Sequence, residues 1–213
     1  DVILHSGTSI LGIVCKDGIV MAGDRRATAG NLIMSKKEQK VVPLTDNFLI
    51  AGTGVAADIQ RLGKVVTAEL KLKELKSKTR PSVREAANLT GTITYSQIRS
   101  FSAIPSIVGS LLGGINEDGT FELYTIEPAG GVYKIEDYDA NFSSGMPFIL
   151  GLLERQYKKN ISVSEAVELA QEALKSSTQR DSGSGNGMDV FTITKEGIKK
   201  VVSQQINPDF NDD

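Results

Sequence analysis

The chain has 213 residues with 24 Lys+Arg against 26 Asp+Glu, a net charge of −2. That balance excludes a protein whose main work is gripping nucleic acid or an anionic membrane, since either task needs a basic excess. At 40% hydrophobic and 23% charged, the chain can bury a core, and disorder throughout is excluded.

The first elements are short strands. Ser9-Ile-Leu-Gly-Ile-Val-Cys15 and Ile19-Val-Met-Ala22 flank Lys16-Asp17-Gly18, and an Asp-Gly pair between apolar runs predicts a hairpin. Val41-Val42, the Thr45-Asp46-Asn47 turn and Phe48-Leu-Ile-Ala51 repeat the pattern. These runs are apolar on both faces, so the sheet is expected to be covered on both sides. Val55, Ile59, Leu62, Val66 and Leu70 then recur at spacings of three and four, predicting a helix to about Lys78. Ser82-Val-Arg-Glu85, after Pro81, has the pattern of a capping box and opens a second helix to about Phe101.

Strands are predicted again over 106–115, 121–126 and 132–135, with turns at Asn116-Glu-Asp-Gly119 and Pro128-Ala-Gly-Gly131. A third helix is expected from Met146-Pro147 to about Lys158, and a fourth behind the capping box Ser162-Val-Ser-Glu165. Two last strands, 190–193 and 198–202, flank a Lys-Glu-Gly turn, and the polar tail 207–213 is expected to fray. The order is strands, two helices, strands, two helices, strands. It predicts an α+β fold, an αββα sandwich of two mainly antiparallel sheets between helix pairs. No low-complexity linker divides the chain, so one domain is expected.

No run of about 18 apolar residues occurs, which argues against a membrane-spanning helix. The N-terminal segment does not fit a secretory signal; the start at Asp1 rather than Met reads as trimmed or processed. With one thiol as well, the expected location is cytoplasmic. A single cysteine, Cys15, and a single histidine, His5, exclude an internal disulfide and a Cys/His zinc site. An enzyme on this chain is therefore expected to use a base other than histidine.

Five clusters could carry chemistry: Gly7-Thr8-Ser9, Asp24-Arg25-Arg26, Lys36 to Lys40, Gly52-Thr-Gly54, and Gln179-Arg-Asp-Ser-Gly-Ser-Gly185. Four have a plain structural reading when taken alone: a strand start, a solvated ion pair, a basic turn and, for the Ser/Gly run 182–187, a mobile loop. Gly52-Thr-Gly54 lacks the spacing of a phosphate-binding loop, which leaves a phosphate-binding domain as a weak reading.

Taken together, in order and spacing, these pieces resemble the β subunits of the proteasome core particle, N-terminal nucleophile hydrolases, and most of all the archaeal-type catalytic ones. The carriers are Gly7-Thr8, Met21-Ala-Gly-Asp-Arg-Arg-Ala-Thr28, Lys40, Gly54-Val-Ala-Ala-Asp58, Ser143-Ser-Gly-Met-Pro147 and the run 179–185. The resemblance spans Thr8 to about Ile206. It implies a threonine endopeptidase with no metal or organic cofactor, in which residues 1–7 are a propeptide remnant and 8–213 the catalytic domain. Cleavage at Gly7-Thr8 would free Thr8 as nucleophile, with Asp24 and Lys40 beside it, and Ser144, Asp181 and Ser184 orienting its amine. The resemblance further implies Gly54 as the oxyanion donor, Thr28 pairing through its backbone with substrate, and Ala27, Gly52 and Ala56 walling a roomy pocket. Glu38 would give that pocket negative charge, and Arg180 would partner a nearby carboxylate. Ser143 departs from the glycine frequent in the family.

The implied partners are α-type and other β-type subunits in stacked heptameric rings, an unfolded polypeptide substrate and a regulatory ATPase, with no nucleic acid and no membrane. The competing reading is a structural β-type subunit of the same ring that never matures.

Overall fold

The computed structural model describes residues 7–206. His5, the expected extension before Gly7 and the tail 207–213 lie outside the described residues. Twelve strands and four helices alternate in the expected blocks among them. The first block holds β1 (Ile10–Cys15), β2 (Gly18–Asp24), β3 (Ala27–Ala29), β4 (Leu32–Ser35), β5 (Val41–Pro43) and β6 (Phe48–Gly54). Then come α1 (Ala56–Ser77), α2 (Val83–Arg99), β7 (Val108–Ile115), β8 (Phe121–Ile126), β9 (Val132–Ile135) and β10 (Tyr138–Asp139). The chain continues with α3 (Met146–Gln156), α4 (Val163–Thr178), β11 (Gly187–Thr194) and β12 (Gly197–Gln205). The fold is α+β, consistent with that of the N-terminal nucleophile hydrolases.

Two five-stranded sheets, β10-β1-β2-β11-β12 and β5-β6-β7-β8-β9, are antiparallel throughout. Side-chain alternation along the strands builds three layers of core. Ile10, Ile19, Met21, Leu49, Ala51, Leu111, Phe191 and Ile193 point between the sheets. Their neighbours Leu11, Val20, Ala22 and Val190 face α3 and α4, while Phe48, Ile50 and Leu112 face α1 and α2. Strands buried on both faces need apolar residues at successive positions, which is why these runs do not alternate with polar ones. Both expected capping boxes form: the Ser82 and Ser162 side chains accept from the Glu85 and Glu165 N–H groups.

Two elements depart from the sequence reading. The small β3–β4 hairpin, turning at Gly30 with φ +58°, was not expected, and its Leu32, Ile33 and Met34 are exposed. Two-residue β10 adds an edge to β1. The single thiol, Cys15, is buried in the layer under α3 and α4, and burial pushes its pKa up to about 12. No helix among the described residues is long and apolar enough to cross a membrane.

Candidate active site

The sandwich gathers its polar residues at one end. Thr8 leads into β1, Asp24 ends β2, Lys40 immediately precedes β5, and Gly54 ends β6. Because β2 and β5 belong to different sheets, the Asp24–Lys40 pair ties the two sheets together at that end. Ser144 precedes α3, and Asp181 and Ser184 lie between α4 and β11.

Asp24 is wholly buried, contrary to the solvated-pair reading. Its Oδ1 accepts from Lys40 Nζ at 2.5 Å and from the Ser9 N–H at 2.9 Å. Its Oδ2 accepts from the N–H groups of Arg26 at 3.0 Å and Gly185 at 2.8 Å. Four donors leave it no freedom to rotate, so the Lys40 head is fixed in direction. Lys40 itself is buried rather than part of an exposed basic turn. Burial pulls its ammonium below the ordinary lysine value, against the opposing pull of Asp24. Its Nζ also lies 3.3 Å from the Gly7 carbonyl oxygen.

That same oxygen accepts from Thr8 Oγ1 at 2.7 Å. The Thr8 N–H donates to Ser144 Oγ at 2.9 Å. Ser144 Oγ lies 2.6 Å from Asp181 Oδ2 and 3.0 Å from the Thr8 carbonyl oxygen, and one hydroxyl proton can serve only one of them at a time. Ser184 Oγ donates to the same Asp181 oxygen at 2.5 Å and stands 2.7 Å from Ser9 Oγ. The Ser/Gly run 182–187, read in isolation as a mobile loop, thus begins as a turn hydrogen-bonded to Asp181. The structure brings Gly7, Thr8, Asp24, Lys40, Ser144, Asp181 and Ser184 into one connected network.

Beside this network opens a cleft of about 490 Å³, reached by Gly7, Thr8 and Lys40 and walled by Ala27, Gly52, Gly54 and Ala56. Gly54 has φ +116°, a conformation that favours glycine, and a Cβ there would fall 2.1 Å from the Ile107 carbonyl oxygen. Ile59 closes the cleft behind Gly52, where a Cβ would sit 2.5 Å from its side chain. Glu38 is on the wall, which Lys40, Lys64 and Lys71 share.

Thr28 lies off the cleft wall, and its side chain is engaged: Oγ1 accepts from the Gly7 N–H at 2.8 Å. Arg180 is exposed, and its guanidinium makes no ion pair among the described residues. Arg25 pairs instead with Asp189, and Arg26 bonds to Asn186 Oδ1 and the Ser182 carbonyl. Sequence reasoning placed Ser9 in a candidate cluster but gave it no role; it stands just before β1, its N–H on Asp24 and its Oγ beside Ser184 Oγ. Beyond Ala56, sequence reasoning missed the second stripe of α1, Gln60, Gly63, Lys64, Thr67 and Lys71, whose three- and four-residue spacing could have marked a cleft wall.

A family profile described as "Proteasome subunit" matches residues 4–193. This chain belongs to that family, as a β subunit of archaeal type. It is 41% identical to "Proteasome subunit beta" of Nanoarchaeum equitans, over 91% of this chain and 96% of the relative. A "Proteasome subunit beta" of Ferroglobus placidus is 38% identical over 95% of this chain and 94% of its own length. "Proteasome subunit beta 1" of Thermococcus kodakarensis is 40% identical, covering 94% and 95%. A β subunit of the 20S proteasome core assembles with other proteasome subunits.

Proposed function

We propose that this chain is a threonine endopeptidase that matures by cutting its own Gly7–Thr8 bond and then hydrolyses unfolded polypeptides inside a chamber. The observation that carries the reading is the convergence of Thr8 Oγ1 and the buried, Asp24-held Lys40 ammonium on the Gly7 carbonyl oxygen. A scaffold subunit has no physical need for a charge buried at that point, since burying it is costly.

Maturation begins with Thr8 Oγ attacking the Gly7 carbonyl carbon. The C–N bond to Thr8 breaks, the amide nitrogen takes up the hydroxyl proton, and residues 1–7 remain joined to Thr8 as an ester. Water hydrolyses the ester, leaving a carboxylate on Gly7 and a free amine on Thr8. An α-amino group titrates at about 7.7–8.0 when unperturbed, so it serves as a base near neutrality without histidine. The Lys40 charge beside it lowers that value further. The amine takes the hydroxyl proton as Oγ attacks a substrate carbonyl, then returns a proton to the departing amine. Water releases the acyl group in the second half of the cycle.

In this scheme Asp24 fixes Lys40, while Ser144, Asp181 and Ser184 orient the amine and order water. The Gly54 N–H stabilises the oxyanion, a contribution of about 2.7–4 kcal/mol in comparable sites. Ala27, Gly52 and Ala56 bound the pocket for the residue before the cut, and Thr28 holds the leaving segment by its Gly7 N–H. Residues 8–213 form the catalytic domain, seated in stacked seven-membered rings with α-type and β-type partners, fed in the cytoplasm by a regulatory ATPase.

The test is intact mass and fluorogenic-peptide hydrolysis after assembly with α-type partners. Wild type should lose residues 1–7 and gain activity, and Thr8→Ala should assemble but do neither. Retention of residues 1–7 by the assembled wild type would identify a structural, non-maturing subunit instead.

A further inference from the structure

Gly7 is tethered on both sides of its Cα. Its N–H donates to Thr28 Oγ1 at 2.8 Å, and its carbonyl oxygen meets Thr8 Oγ1 and Lys40 Nζ. Against it stands Gly183. A Cβ on Gly7 would fall 2.1 Å from the Gly183 Cα, and a Cβ on Gly183 would fall 2.4 Å from the Gly7 Cα. Both obstacles are backbone atoms, so no rotamer relieves them. Gly183 is not among the positions with positive φ, so the demand for glycine there is one of space.

The turn carrying Gly183 is fixed as well. The Gly183 N–H donates to Asp181 Oδ1 at 3.1 Å, and the Ser184 N–H to the Asp181 carbonyl at 3.1 Å. One residue further, the Gly185 N–H binds Asp24 Oδ2 at 2.8 Å and its carbonyl accepts from the Arg25 N–H at 3.1 Å. The wall that meets Gly7 is therefore built on Asp24 and Asp181, the two carboxylates that also hold Lys40 and Ser144.

We propose that Gly183 is a positioning residue for cleavage of the Gly7–Thr8 bond: its bare backbone sets how deeply residue 7 sits, and so where the Gly7 carbonyl lies against Thr8 Oγ1 and Lys40 Nζ. This inference rests on the endopeptidase reading. It also separates maturation from turnover. Among the described residues other than its chain neighbours, the three nearest heavy atoms to a Cβ at Gly183 all belong to Gly7, and the other atoms lie at 3.3 Å or beyond. Once residues 1–7 have left, a methyl group at position 183 meets only near-ordinary contacts.

The experiment compares wild type and Gly183→Ala in two forms, the full chain and a chain whose Thr8 is exposed by removing an N-terminal fusion. Each is assembled with α-type partners and followed by sedimentation, intact mass and fluorogenic-peptide hydrolysis. In the full chain, Gly183→Ala should assemble but lose residues 1–7 at least roughly tenfold more slowly, since a misplacement near 1 Å can cost about a hundredfold. In the chain starting at Thr8, the same substitution should hydrolyse peptide within about twofold of its parent. Processing of full-length Gly183→Ala at the wild-type rate overturns the proposal. So does equal loss of turnover in the Thr8-start form, or failure of that form to assemble, because Gly183 would then serve catalysis or folding in general. An inactive wild-type Thr8-start chain sinks the endopeptidase reading instead, and the mass measurement still tests Gly183.

Discussion

Asp24 and Arg25 are neighbours at the end of β2, and each makes an ion pair, yet the two pairs are built for different ends. Arg25 forks onto Asp189 of β11, with Nη2 at 2.6 Å from Oδ1 and Nε at 3.1 Å from Oδ2, and Nη2 also donates to Ser203 Oγ at 2.7 Å. The hydrogen bond to Asp189 holds the Arg25 guanidinium above its ordinary value. Burial works to raise the Asp189 carboxyl, but the Arg25 hydrogen bond and the Lys200 charge overcome it and hold it low. Each partner stabilises the charge of the other, as a clamp between strands should. Across the chain, Asp24 holds a lysine whose charge burial disfavours. That ammonium reaches beyond its partner to the Gly7 carbonyl oxygen, a contact that adds nothing to the sandwich. A geometrically complete, mutually stabilising pair marks structure, and a strained charge aimed past its partner marks chemistry.

Exchanging the cations tests that contrast most severely. Lys40→Arg should assemble yet neither mature nor hydrolyse peptide, because a planar fork cannot reproduce a compact ammonium aimed at two oxygens. The expected loss is about 10²–10⁴-fold, the range for disabling a positioned proton-transfer step. Comparable turnover in the Arg variant would reduce Lys40 to a source of general positive potential. Arg25→Lys should retain activity.

That contrast was only half legible in the sequence. The layers were readable because strands buried on both faces need unbroken apolar runs, and both capping boxes sit where their spacing announces them. The β3–β4 hairpin was not readable, since Leu32, Ile33 and Met34 face solvent and carry no in–out alternation. Lys40 closes a basic run that reads as a turn. Its burial comes from standing where β5 meets the end of β2 in the other sheet, a long-range fact that no local spacing encodes. Only the resemblance singled it out. Conversely, attention to the run 179–185 placed an arginine role on Arg180, which faces solvent, while Arg25 and Arg26 took the partners.

The alkaline limb of activity should reflect the depressed Lys40. Burial lowers its value in the folded state, so activity should fall below the pH of about 10.4 at which a free lysine titrates. The sign for stability is opposite. Between the folded and unfolded values the unfolded chain binds more protons, so the contribution of Lys40 to stability grows as pH rises. Peptide hydrolysis should thus decline while melting temperature shows no loss attributable to this group. A decline that tracks unfolding would remove Lys40 as its cause.

Breaking the clamp should cost stability rather than turnover. Arg25→Met should cost about 1.5–3 kcal/mol, the range for losing hydrogen bonds to a charged group, with any peptide turnover of the assembled protein retained. Because the Asp189 value is depressed on folding, the contribution is complete above the unfolded value of about 3.9 and fades as pH falls through the folded one. Denaturant melts of the two proteins should therefore converge in acid and stay apart at neutral pH. Divergence in acid would mean the clamp acts through packing of the arginine stem.

The smallest effect tests whether the two pairs are independent. Lys200 Nζ lies 3.4 Å from Asp189 Oδ1, and it also stands 3.4 Å from Gln39 Oε1, the residue next to Lys40. The lysine side chain is one-third exposed, so solvent screens the contact. Lys200→Met should cost about 0.2–1 kcal/mol in stability, within the range of surface pairs. The difference should shrink in 1 M salt, where the screening length falls to about 3 Å. Asp189 keeps its Arg25 fork in the variant, so the clamp itself survives. Turnover should be unchanged, because the Gln39 contact is long and leaves the Lys40–Asp24 bond untouched. A fall in turnover without a fall in stability would show Lys200 steering the Lys40 segment through Gln39, and the clamp and the candidate site would then be one coupled device.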